Sequence, residues 1–146
     1  MMLKRIVIVT TCLAIGYFTF VQAIAARSAN RSVYRTIEPA EFAQRFRLTG
    51  YDPRTVALDL FAEMTGEREG RQSEGFTIDY HRSETAFGAT VQLTVVGLAD
   101  DSIAAQRFQV ELEWDAKQDW QLVWVGEQWR CQDGRGIVEW TNQRCS

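Results

Sequence analysis

Apolar positions along this chain keep two different periods, and the change from one to the other falls near Phe76. Before it, Phe42 and Phe46 stand at i, i+4, and Val56, Ala57, Leu60, Phe61 and Met64 repeat at the spacing of one helical face. The flanking residues agree. Pro39 suits a first helical position, Glu41 adds a favourable charge to the first turn, and Thr49-Gly50 ends the segment. Asp52 offers an N-cap with Pro53 behind it at N1, and Gly66 closes the second helix. Glu67 to Glu74 reads as a charged loop without an apolar side chain.

From Phe76 the period is two. Phe76, Ile78 and Tyr80 alternate with Thr77, Asp79 and His81, and Val91, Leu93 and Val95 make a second strand. Phe108, Val110, Leu112 and Trp114 alternate with Gln109, Glu111 and Glu113, which predicts a half-buried strand with a solvated acidic face. Trp120, Leu122 and Trp124 predict a fourth strand, with all three on the core side. Asp100-Asp101-Ser102 and Asp115 to Asp119 are turn chemistry, so the strands are expected to pair as antiparallel hairpins. The fold class is therefore α+β, with two short helices packed on a four-stranded antiparallel meander. Gln128 to Ser146 is less regular and reads as a C-terminal loop.

The N-terminus changes the picture of where this domain folds. Lys4 and Arg5 precede 21 uncharged residues, Ile6 to Ala26, and small residues gather at Ala23, Ala25, Ala26, Ser28 and Ala29. Cleavage of a signal helix after Ala23 or Ala25 fits this pattern. An uncleaved membrane anchor is the alternative, since the stretch is about long enough to span a bilayer. The expected organisation is a signal segment at 1–25, a flexible leader at 26–35 and one domain at 36–146. Both alternatives export the domain to the periplasm or the cell exterior. Loss of Lys4 and Arg5 leaves 14 basic and 19 acidic side chains, a net of −5, which gives no pull on nucleic acid or anionic lipid. Contact with the membrane would come only through an uncleaved N-terminal segment.

Cys12 lies in the signal, so Cys131 and Cys145 are the cysteines of the mature chain. An oxidising compartment permits one bridge between them, closing the C-terminal loop. Two Cys without a nearby His make a poor metal site, and no metal is expected.

Three stretches carry a resemblance. They are Gly97-Leu98-Ala99-Asp100-Asp101-Ser102, then Trp120-Gln121-Leu122-Val123-Trp124, then Trp129-Arg130-Cys131 with Gly134-Arg135-Gly136, Trp140 and Cys145. Together they resemble a family of small exported proteins of unknown function found mainly in cyanobacteria. The resemblance covers roughly the last half of the chain and implies export, but no activity. His often follows the Gly-Arg-Gly in that family; Ile137 stands there in this chain. The order of helices and meander also looks cystatin-like or NTF2-like, an analogy of architecture that fixes no function.

Candidate chemistry is sparse. Asp79 and His81 share one strand face and would make a carboxylate–imidazole general base; a solvated strand surface explains them equally simply. Asp100 and Asp101 would be half of a metal or acid–base site, but adjacent aspartates in a turn usually serve the turn. Gly134-Arg135-Gly136 would grip an oxyanion or simply form a tight turn. Trp129 and Trp140 do not follow the core periodicity, and they flank Arg135. These three make the expected binding patch, on the ground that Trp and Arg dominate binding hot spots. No nucleophile-elbow, zincin, Cys-x-x-Cys or Walker motif occurs, and no cofactor is implied. The expectation is a non-catalytic binding domain for an unknown protein or small ligand of the cell envelope. The alternative is a small NTF2-like enzyme or ligand pocket with Asp79 and His81 at the cavity.

Overall fold

A computed structural model describes residues 31–82 and 86–146. The expected signal segment, 1–25, and residues 26–30 of the expected leader lie outside them, as does Cys12. The chain divides after Val33. In the first unit Arg31 and Ser32 are helical and Val33 forms a turn. The second unit, Tyr34–Ser146, runs β1 (Arg35–Ile37), α1 (Pro39–Arg45), α2 (Pro53–Met64), β2 (Ser73–Arg82), β3 (Phe87–Val96), β4 (Ile103–Asp115) and β5 (Asp119–Cys131). This is an α+β fold with one antiparallel sheet in the order β1-β5-β4-β3-β2.

The sheet has five strands rather than the four expected. β1 is three residues long and too short to show a period. Its existence rests on pairing with β5, where Arg35 faces Glu127, Thr36 faces Gly126 and Ile37 faces Val125. It begins at Arg35, the last residue of the stretch read as a leader. β5 is also longer than the stretch read as the fourth strand, because Gln128–Cys131, where Gln128 and Arg130 alternate with Trp129 and Cys131, remains paired with β4.

The helices form where the punctuation places them. Pro39 and Pro53 open α1 and α2, and Asp52 caps α2 by accepting a hydrogen bond from the Arg54 amide at 3.0 Å. Their apolar residues, Phe42, Phe46, Val56, Ala57 and Leu60, meet Val91, Leu93, Val95, Phe108, Val110, Leu112 and Val125 of the sheet in one core. Phe42 and Phe46 both pack on Phe108, with ring centroids at 5.7 and 5.1 Å. Burial of such aromatic groups is the main source of stability here.

A register shift separates the two halves of β5. Glu111 faces Trp124 while Leu112 faces Leu122, so Val123 is an extra residue without a partner on β4. A bulge of this kind reverses the inside–outside alternation. Trp120 and Leu122 therefore point to the helix side, whereas Trp124 points away from it, against the expectation that all three line the core. Beyond the bulge the helix-facing phase is Val125, Glu127 and Trp129.

The face away from the helices also differs from the solvated acidic stripe expected on β4. Gln109 and Glu111 are buried, and Glu113 is half-buried. The turned Trp124 contributes directly. Its indole lies over Gly126, where an added Cβ would come within 2.4 Å of the ring, and Gly126 faces Gln109. Trp124 also meets Tyr34 edge-on at 5.7 Å.

Cys131 and Cys145 are bonded, with Cα atoms 5.4 Å apart. The bridge, together with the paired backbone groups of Trp129 and Thr141, folds the C-terminal tail back along β5.

Candidate functional site

The changed phase of β5 places a carboxylate where the core pattern would call for an apolar side chain. Glu127 is only 1% exposed. It forms one wall of a cavity of about 330 Å³ on the helix side of the sheet, shared with Gln106, Ile103 and Trp129. Arg45, the last residue of α1, and Arg144 and Cys145 of the tail complete the lining. A volume of this size suits a small molecule.

Each wall residue has a local reason for its position. Arg35 sits opposite Glu127 across β1 and β5. Its Nε donates to Glu127 Oε1 at 2.8 Å, and its Nη2 donates to the same oxygen. The other oxygen, Oε2, has only a long contact, 3.4 Å from Gln106 Nε2. A carboxylate has about four lone-pair sites, so Oε2 retains capacity for a donor. Trp129 is two residues further along the same face and opposite Gln106. The Arg35 and Arg144 guanidinium groups lie 5.3 and 6.0 Å from its ring, a cation–π arrangement. The disulfide at Cys145 holds the neighbouring Arg144 at the mouth.

The charge balance of the site is positive. Arg35, Arg45 and Arg144 stand against one carboxylate, Glu127. Among the described residues no carboxylate comes within ion-pair distance of Arg45 or Arg144. Two guanidinium groups are thus available to an oxyanion, which Arg binds with forked geometry. Among the described residues no cluster of three His, Cys, Asp or Glu side chains is placed to hold a metal ion.

The residues expected to form one patch are dispersed. Trp129 is buried and lines the cavity. Trp140 lies on the opposite side of the sheet, beneath Arg107, whose guanidinium is 4.4 Å from its ring and 5.6 Å from that of Tyr34. Arg107 Nε also donates to Gln128 Oε1 at 2.6 Å. Arg135 is exposed in the tail; its backbone carbonyl accepts from the Ser146 amide at 2.9 Å, and Gly134 beside it has φ +77°. Asp79 is exposed and His81 half-buried on the face of β2 away from the helices, and neither lines the cavity. Asp100 is occupied with its turn: Oδ1 accepts from the Ser102 amide and hydroxyl and from the Ile103 amide. Those bonds hold its carboxyl below the usual aspartate value.

Glu127, Arg35, Gln106, Arg45 and Arg144 were not singled out by the sequence. One signal did point to them: in Val125, Glu127, Trp129 a charge interrupts an apolar alternation. It becomes readable only once the bulge at Val123 is known. No family model matches the chain, and no curated protein or solved structure shows significant similarity to it.

Proposed function

We propose that this domain binds a small oxyanion-bearing molecule, a carboxylate or a phosphate ester with a hydrogen-bond donor, in the cavity between α1, β5 and the tail. One observation carries the reading: a buried glutamate with a spare acceptor oxygen, Glu127, shares a cavity with two arginines that have no acidic partner among the described residues. The oxyanion meets Arg45 and Arg144, the donor reaches Glu127 Oε2, and Trp129 supplies the apolar wall. The reading is of binding: Asp79 and His81, the carboxylate–imidazole pair, stand outside the cavity lining.

The same proposal places the domain outside the cytoplasm. Its support is the signal-like N-terminus, the disulfide and the resemblance of the C-terminal half to small exported proteins. Helices laid on one face of an antiparallel sheet, with a pocket between them, are also an arrangement of the cystatin or NTF2-like kind. Titration calorimetry of the full chain with succinate, benzoate and O-phosphoserine at constant ionic strength tests the reading. Saturable binding of at least one, weakened about tenfold by Arg144→Ala and unchanged by Arg135→Ala, is expected from loss of one forked charge contact. Absence of saturation with all three, or binding insensitive to Arg144→Ala, overturns it.

A further inference from the structure

Strand β2 ends the sheet, and among the described residues its outer edge has no neighbour within it. The strand is ten residues long and contains neither Pro nor Lys, the usual means of blunting such an edge. Its helix-side residues are Glu74, Phe76, Ile78, Tyr80 and Arg82. Phe76 and Tyr80 are 39% and 47% exposed, unusual for aromatic groups on the core side of a sheet. Each continues an aromatic cluster: Phe76 meets Phe61 at 5.6 Å, and Tyr80 stacks on Phe87 at 6.1 Å.

This set is complementary to its own reverse. We propose that the edge of β2 pairs antiparallel with β2 of a second copy, about a two-fold axis through Ile78. In that register Glu74, which also meets Arg71 of its own chain at 3.4 Å, faces the partner's Arg82, Phe76 faces the partner's Tyr80, and the two Ile78 side chains meet on the axis. Opposite charges and aromatic pairs are the favourable cross-strand combinations. The other face agrees. Thr77 faces the partner's Asp79, and Gly75 faces the partner's His81. Around Gly75 the sheet has a groove of about 320 Å³ lined by Ser73, Thr77, Gln92 and Thr94 among others, and a Cβ on Gly75 would meet nothing within 4 Å. The His81 imidazole lies over Gly88 of its own β3, so the groove beside Gly75 stays open in this pairing.

Neighbouring registers lose these pairings. A slip of two residues in one direction sets Glu74 against the partner's Tyr80, and in the other sets Phe76 against the partner's Arg82. A slip of one residue opposes different faces of the pleat. Two-fold self-complementarity of this type is the signature of an isologous dimer.

Sedimentation equilibrium of the full chain tests the proposal. The unmodified chain sediments as a dimer, and Arg82→Glu weakens self-association by about tenfold or more, because two symmetry-related charge pairs become repulsive at once. The double change Glu74→Arg with Arg82→Glu restores part of it, since each end again meets its opposite while the 3.4 Å pairing of Glu74 with Arg71 within the chain is lost. Circular dichroism melting confirms that both variants are folded. A chain that is monomeric at its highest soluble concentration overturns the proposal. So does a dimer indifferent to Arg82→Glu, which would place self-association on another surface.

Discussion

Arg35 stands directly opposite Glu127 across β1 and β5, and its Nε and Nη2 both donate to a single oxygen of that buried carboxylate. Glu127 is 1% exposed and Arg35 39% exposed, so the pair is half in water on the arginine side. Arg35→Ala leaves the carboxylate without its main donor and is expected to lower unfolding stability by about 1–3 kcal/mol. The double replacement Arg35→Met with Glu127→Met should recover most of that loss, because apolar replacement of both partners removes the unpaired charge. Urea denaturation of the single and double variants measures the coupling. Additive losses would show that the two residues act separately.

Trp140 and Arg135 are expected to respond differently. Trp140 packs under Arg107 on the side of the sheet away from the cavity. Trp140→Ala removes this cation–π contact, worth roughly 0.5–2 kcal/mol, and should lower the melting temperature without altering binding of the oxyanion probes. Arg135→Ala changes an exposed side chain and should shift stability by less than about 0.5 kcal/mol. Equal and large losses of binding in both variants would instead return recognition to the tail.

The disulfide closes a loop with a sequence separation of 14, for which chain entropy gives about 3 kcal/mol of stabilisation. Reduction is therefore expected to lower stability by that order. It should also weaken the oxyanion probes, because Arg144 is fixed beside Cys145 at the cavity mouth. Calorimetry of the reduced and the oxidised chain, both below their melting temperatures, separates the two effects.

Tyr34 gives the domain an alkaline limit. Burial holds its phenol above the ordinary 10.0, with Arg107 pulling the other way to a smaller extent than burial. The phenol of the unfolded chain ionises at its ordinary value while the folded one remains protonated. The stabilisation is thus complete below about pH 10 and is lost as pH rises through the higher folded value. Tyr34→Phe cannot ionise and should flatten the fall of melting temperature above about pH 10. An unchanged alkaline slope would assign it to other groups.

Local chemistry made much of the fold legible. The proline openings, the Asp52 cap and the helical stripe on Val56 and Leu60 mark both helices, and alternation marks the centres of β2 to β5. Three features resisted such reading. β1 has only three residues, and its partner Glu127 lies 92 positions away in sequence. The bulge at Val123 leaves the local pattern apolar on either side, so nothing nearby reveals that Trp124 has changed face. The separation of Trp129 from Trp140 depends on how the tail folds back, which the disulfide and the Trp129–Thr141 pairing determine. The candidate site inherits all three difficulties, because its glutamate lies beyond the bulge, its arginine partner on β1 and one of its cations on the tail.

The unpaired Val123 also sets which changes of length the chain tolerates. Leu122 and Trp124 face Leu112 and Glu111, which are consecutive on β4, so deletion of Val123 closes the bulge and leaves every later pairing of β5 in place. An insertion of one or two residues in the exposed hairpin between Asp115 and Asp119 is equally harmless. One residue added between Val125 and Glu127 is not, because in an unbroken ladder it turns Glu127 and Trp129 outward and takes the carboxylate off the cavity wall. The bulge is thus one residue of slack ahead of the cavity, and beyond it the spacing along β5 has none.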